Sequence, residues 1–256
     1  MFDVEGYERV AASVNKSAHR DQLTDFVAEM RRALDANVSP SAQVSFCSHF
    51  RPLRVVSGYD FLNLSRLIDF FWIMEYHNPT EDTGEVTSPA SLVQSIVQYA
   101  SLGVSAAKLV VGFPWQGWDL PCTCNSSVGT TCSVPPLPPS VRNLFQFIRP
   151  VPYSWALRRF EAGHACEMKH DANASMAYFD YFETNRSTNA PIGCRRQVWF
   201  NTPATYAAKY RLVLQHKARG IGFYTVDQVD YTRPADVSGM WGALPPVKSD
   251  DWFTTI

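Results

Sequence analysis

Long apolar runs are missing from this sequence. No stretch approaches the roughly 20 consecutive apolar residues that a helix needs to cross a bilayer, so no membrane partner is expected. The first residues do not read as a charged segment followed by an apolar one, the pattern that directs a chain to secretion. Charge of one sign is equally scarce. With 23 Lys and Arg against 24 Asp and Glu, the formal net charge is −1, and the basic residues are scattered rather than massed. Without a basic field to neutralise phosphates, nucleic acid is not an expected partner. The paired C-x-x-C spacing of zinc sites is absent too: Cys122-x-Cys124 is followed by a lone Cys132, with no well-placed histidines. Disulfides are therefore favoured over zinc, which stays open as the rival reading, and no cofactor is implied.

The chain's 256 residues, 46% of them apolar and 18% charged, suffice for a large core and fall within the one-domain range of barrel folds. Five cysteines (Cys122, Cys124, Cys132, Cys166 and Cys194) cluster, and Cys47 stands apart, an even total that suits an oxidising compartment. Six triplets, starting at Asn15, Asn37, Asn63, Asn125, Asn173 and Asn185, fit the N-glycosylation pattern, the second weakened by Pro40. Together these features predict a lysosomal or secreted protein whose signal peptide is not part of this sequence. Oligomeric state is not legible.

Periodicity predicts alternating strands and helices. Leu23, Phe26, Val27, Met30 and Leu34 recur at helical spacing up to Asn37, and a strand follows over Gln43 to Cys47. Ile68 to Tyr76 reads as a buried strand, and Ser88-Pro89 as a helix cap with proline in the first position. Leu92, Val93, Ile96, Val97 and Ala100 form that helix's stripe, Gly103 stops it, and Lys108 to Pro114 is the next strand. Thr202-Pro203 repeats the cap signal for a helix through Leu214, which Gly220 is expected to end before a strand over Ile221 to Val226. A final helix is expected near Ala235 to Leu244. This is a βα series with right-handed parallel connections.

One connection breaks the rhythm. Residues 115–201 form a link far longer than a usual βα loop, and in a barrel such a link emerges at the face where active sites sit. It holds most of the cysteines, with Trp115, Trp118, Tyr153, Trp155, Tyr178, Tyr181 and Trp199. It reads as a disulfide-stapled lobe with its own small core, one or two of whose aromatics face a sugar ligand.

The chain begins Met1-Phe2-Asp3-Val4-Glu5. In a strand, residues two apart share a face, so Asp3 and Glu5 stand together while Phe2 and Val4 point the other way. Desolvation and a neighbouring negative charge raise the pKa of one such carboxyl, which keeps a proton available for donation. A solvated edge or loop is the plain alternative.

These residues resemble glycoside hydrolase family 18. Phe2-Asp3-Val4-Glu5 is similar to the end of its D-G-x-D-x-D-x-E signature, and Met74-Glu75-Tyr76 to its M-x-Y strand. Gly112 to Asp119, Gln197 to Asn201 with Pro203, and Arg219 to Gly222 ending in Asp230-Tyr231 resemble segments of a lysosomal member in the same order. The resemblance implies a (β/α)8 TIM barrel with an inserted lobe at 115–201. It implies substrate-assisted retaining hydrolysis of β-1,4 N-acetylglucosamine linkages, in which the sugar's own acetamido oxygen attacks the anomeric carbon. By that carry-over Glu5 is the general acid and base, Asp3 holds the acetamido N–H, and Tyr76 donates to the acetamido oxygen. Met74, His77, Trp115, Gln116, Trp199 and Tyr224 are the implied substrate-binding residues, and an N-acetylglucosamine oligosaccharide is the implied partner.

The chain also departs from the family. His77 stands where aspartate usually follows M-x-Y, Tyr224 where a tryptophan commonly floors the subsite, and Gln116 where the lysosomal member has the tyrosine of a P-W-Y-G segment. These departures favour, as the alternative, a weak or inactive sugar-binding relative. By resemblance the strands are the fourth to eighth, with residues 1–256 a partial barrel domain that starts inside the fourth. An opened barrel leaves strand edges unpaired, so residues 1–256 alone are expected to fold poorly, and a non-functional truncated product is a third reading.

Overall fold

Helix α1 (Lys16–Asn37) buries Leu23 and Val27, with Met30 and Leu34 against the same core, while Phe26 at the rim of the stripe is 52% exposed. The computed structural model describes residues 16–55, 58–76, 88–124, 127–128, 130–136, 147–164, 167–184 and 191–246. Asp3, Glu5 and His77 lie outside these described residues, as do Cys166 and the glycosylation triplets' Asn15, Asn125 and Asn185. Strand β1 (Ser45–His49) follows α1, then helix α2 (Phe61–Leu67), strand β2 (Phe70–Met74), helix α3 (Pro89–Ser101) and strand β3 (Leu109–Pro114). The caps are local and legible. The Ser88 side chain accepts from the Ser91 N–H at 3.1 Å, with Pro89 in the first helical turn. Gly103, at φ 80°, takes the left-handed turn that ends α3. Asp60 caps α2, a short helix that the periodicity did not reveal, by accepting from the Asn63 N–H at 3.0 Å.

After β3 the chain enters an antiparallel excursion. Its strands are β4 (Gln116–Pro121), β5 (Arg149–Pro152), β6 (Lys169–Asp171), β7 (Met176–Thr184) and β8 (Pro191–Phe200), with helix α4 (Tyr153–Arg159) between β5 and β6. Their order across the sheet is β5-β4-β8-β7-β6, and every pairing is antiparallel. Disulfides join Cys122 to Cys132 and Cys124 to Cys194. A small core of its own, around Trp118, Leu120, Met176 and Trp199, sits in this sheet.

The chain then returns through helix α5 (Pro203–Gln215), strand β9 (Gly220–Tyr224) and helix α6 (Pro234–Gly242). The Thr202 hydroxyl caps α5 by accepting from the Thr205 N–H at 3.3 Å. Gly220 does not end this helix, contrary to the sequence reading. The helix stops at Gln215, Lys217 adopts the left-handed turn at φ 56°, and Gly220 opens the strand.

Among the described residues four strands form one parallel sheet, in the order β1-β2-β3-β9. The register aligns Cys47 with Trp72, Trp72 with Val110, Met74 with Gly112, and Gly112 with Gly222. Phe46, Phe71, Ile73, Val111 and Phe113 alternate with these positions and are buried in the main core with α3 and α5. The fold is thus a parallel α/β layer interrupted by an antiparallel lobe.

Candidate active site

Strand parity decides which residues share a face. Phe71, Ile73 and Glu75 are fully buried on the helix-facing side, so Trp72, Met74 and Tyr76 project from the opposite side. On β3 the same opposite face carries Gly112 and Pro114, and on β9 it carries Gly222 and Tyr224. Three aromatic side chains meet there. The Trp72 indole N–H donates to Tyr76 Oη at 2.9 Å, and the Tyr76 ring stacks on Tyr224, with centroids 5.2 Å apart and planes 28° from parallel. Tyr224 is 56% exposed, which leaves much of this aromatic pair open to a ligand.

The indole fits because two glycines face it. A Cβ on Gly112 would lie 2.4 Å from Trp72 Nε1 and 2.8 Å from Tyr76 Oη, and one on Gly222 would lie 2.1 Å from Trp72 Cη2. Any side chain at either position would displace the ring. Met74, half-buried, stands between Trp72 and Tyr76 on this face, and His49 is its register partner at the end of β1. Trp72 and His49 were not singled out from sequence, although counting back by twos from Tyr76 reaches Trp72 directly.

The other expected sugar contacts are placed differently. Trp115 continues the parity of Val111 and Phe113 and is packed inside, against Phe223 and Trp241, with its N–H donating to Tyr210 Oη at 3.3 Å. Trp199 is buried in the lobe, stacked on Tyr178 at 4.5 Å, and its N–H donates to Gln197 Oε1 at 2.8 Å. Each is only 1% exposed, so both serve as core and neither offers a ring face to a sugar, which corrects the sequence reading. Gln116, half-buried, stands at the root of the lobe, opposite Pro152 in the antiparallel sheet. The structure thus gathers Met74, Tyr76 and Tyr224 and leaves Trp115 and Trp199 out.

Behind the site lies a buried pair of opposite type. Glu75, the middle residue of Met74-Glu75-Tyr76, has no solvent exposure, and burial raises its pKa to about 8. The Lys209 and Arg51 charges and the Ser95 and Ser91 hydroxyls pull that value down without cancelling the burial. Lys209 of α5 is equally buried, which lowers its pKa to about 7 against the opposing pull of Glu75, and its ammonium donates to Asn201 Oδ1 at 2.7 Å. Each group pulls on the pKa of the other, so the segment that carries Tyr76 lies beside the helix that follows the lobe.

Comparison with known proteins agrees with this architecture. The family model for glycosyl hydrolases family 18 matches residues 6–228. Di-N-acetylchitobiase of Mus musculus is 25% identical over 241 residues, covering 90% of this chain and 63% of the relative, and that of Homo sapiens is 24% identical, covering 90% and 60%. The chain therefore spans about three fifths of the length of these curated relatives. Among solved structures, a plant class V chitinase mutant from Cycas revoluta in complex with (GlcNAc)3 superposes with a TM-score of 0.67 at 19% identity, covering 94% of this chain and 66% of that one. A chitinase from Chromobacterium violaceum gives a TM-score of 0.61 at 21% identity, covering 89% and 61%.

Proposed function

Because the chain belongs to glycoside hydrolase family 18, we propose that its parallel sheet is the later part of a (β/α)8 barrel and that its site cleaves β-1,4 bonds between N-acetylglucosamine residues. Support for the barrel is the order of the parallel strands and the interruption that falls between β3 and α5. In this reading Glu5 protonates the leaving oxygen and then activates water, Asp3 holds the acetamido N–H, and Tyr76 donates to the acetamido oxygen that attacks the anomeric carbon. The substrates are chitobiose cores or short chitin oligosaccharides. The two disulfides and the glycosylation triplets support work in a lysosomal or secreted setting.

The observation that carries the proposal is the Tyr76 hydroxyl, held over Gly112 beyond the end of β2 beside the exposed face of Tyr224. The test is release of N-acetylglucosamine from di-N-acetylchitobiose and from the trisaccharide. Glu5→Gln is expected to lower the rate by about 10²-fold or more, as loss of a general acid does. Absence of turnover, or turnover untouched by Glu5→Gln, defeats the mechanism. Sugar binding without turnover is the second reading, favoured by Tyr224, a smaller platform than the family's usual tryptophan, and by His77 and Gln116. Calorimetry with chitooligosaccharides separates the two: binding without hydrolysis supports the second reading, and no binding defeats both.

A further inference from the structure

The inward face of the sheet carries one large side chain that the proposed chemistry does not use. Trp72 lies deeper along β2 than Tyr76, fills the hollow over Gly112 and Gly222, and reaches the Tyr76 hydroxyl with its N–H at 2.9 Å. An indole N–H can only donate, so this bond has one polarity: Trp72 gives the hydrogen and the phenol oxygen accepts it. The phenol's own hydrogen is therefore directed away from Trp72. Donation into a hydroxyl oxygen also strengthens that hydroxyl as a donor, by roughly 10–30% for a hydrogen-bond chain. The stack on Tyr224 fixes the plane of the same ring.

We propose that Trp72 is a positioning residue that orients the Tyr76 hydroxyl as a donor and thereby sets the site's preference for N-acetylated over free-amine sugars. The inference rests on the proposed role of Tyr76 and extends it to the selection of substrate. An acetamido carbonyl accepts hydrogen bonds, so it matches a hydroxyl that presents its hydrogen. A protonated sugar amine has only donors to offer and meets the wrong partner. Without the indole N–H, the phenol oxygen is released to accept from an ammonium group, and the discrimination narrows. The glycines belong to the device, because a methyl group on Gly112 would press on Nε1 from 2.4 Å.

The experiment measures, by calorimetry on proteins that all carry Glu5→Gln to prevent turnover, the ratio of affinities for tri-N-acetylchitotriose and for the fully deacetylated trisaccharide. Trp72→Phe keeps a ring of similar character and removes the N–H, and the ratio is expected to fall about tenfold, the scale of one well-made hydrogen bond. In a Tyr76→Phe background the same substitution should leave the ratio unchanged. Gly112→Ala, which keeps Trp72 but displaces both its N–H and the Tyr76 hydroxyl it serves, should lower the ratio in the same sense. An unchanged ratio in folded Trp72→Phe, or an equal loss of both affinities, overturns the proposal, and so does an unchanged ratio in Gly112→Ala if Trp72→Phe fails to fold. The hydrogen bond is read separately, without sugar, from the indole N–H resonance of Trp72, which should move upfield in Tyr76→Phe; a resonance that stays in place refutes the contact. If the wild-type protein binds neither trisaccharide, the sugar-site reading itself fails, a result seen before any variant is made, and the inference falls with it.

Discussion

Replacing Glu75 with glutamine should make the protein's stability less dependent on pH, in a direction opposite to that of ordinary surface carboxylates. The native state holds the Glu75 proton up to about pH 8, whereas the unfolded carboxyl releases it near its ordinary value of 4.5. Between those limits the folded chain carries one more proton than the unfolded chain, so this group's contribution to stability is present in full below about 4.5 and falls as pH rises. The slope of one proton is about 1.4 kcal/mol per pH unit, a ceiling of about 2.7 kcal/mol from pH 5 to pH 7. Lys209 adds little slope in most of that window, because well below 7 it is protonated in both states. Its own effect appears above 7, where the unfolded chain keeps the lysine proton that the folded chain has lost, and stability recovers towards the ordinary lysine value of 10.5. The pair therefore predicts a minimum near pH 7 to 8. Urea unfolding followed by tryptophan fluorescence at pH 5, 6 and 7 is the assay. Glu75→Gln should gain on the wild-type protein by about 2 kcal/mol between pH 5 and 7, or about 5 °C in thermal midpoint for a chain of this size. Parallel curves for the two proteins, or a wild-type protein that gains on the variant as pH rises, would refute the reasoning.

Three further outcomes concern the lobe and the glycine hollow. Removing the Cys124–Cys194 bridge, which spans 70 residues, should cost about 4 kcal/mol, and removing Cys122–Cys132, which spans 10, about 3 kcal/mol by loop-closure entropy, to be checked by unfolding of the paired serine variants. Asp180→Ala strips the buried Arg195 of its 2.7 Å ion pair and should destabilise by about 3–5 kcal/mol, whereas the double change Asp180→Leu with Arg195→Met should recover most of that loss. Gly222→Ala should cost about 1–3 kcal/mol through overpacking against Trp72, and Trp72→Phe, which lacks the outer benzo atoms, should suppress part of that cost in thermal unfolding.

Much of the fold was legible wherever the signal is local. Ser88-Pro89 and Thr202-Pro203 announce helices because cap and first turn are set by neighbouring residues alone. The end of α5 was misread because Lys217 takes a left-handed conformation usually given to glycine, while Gly220 serves the strand. The aromatics of the excursion show the limit of composition. Whether a tryptophan faces a ligand or a core depends on its cross-strand partner, and Trp199 lies opposite both Trp118 and Tyr178. Trp115 could have been assigned correctly from parity, since Val111 and Phe113 precede it at intervals of two on the buried face. Glu75 fills the unspecified position of M-x-Y, which carries no signal of its burial. Its surroundings come from far along the chain, from Ser91 and Ser95 of α3 and from Lys209 of α5, which follows more than a hundred residues later.

Strands β4 and β8, the first and last of the inserted lobe, pair with one another, Trp118 opposite Trp199 and Asp119 opposite Val198. Chain leaving the parallel layer and chain returning to it therefore pass through a single doorway about 4.8 Å wide, the spacing of hydrogen-bonded strands. Gly117 keeps that doorway narrow, since a Cβ there would lie 2.6 Å from the Trp199 carbonyl oxygen. To the α/β layer the whole excursion is equivalent to a tight turn. The lobe can vary in length and content as a cassette while β3 and α5 keep the separation that an ordinary short loop would give them.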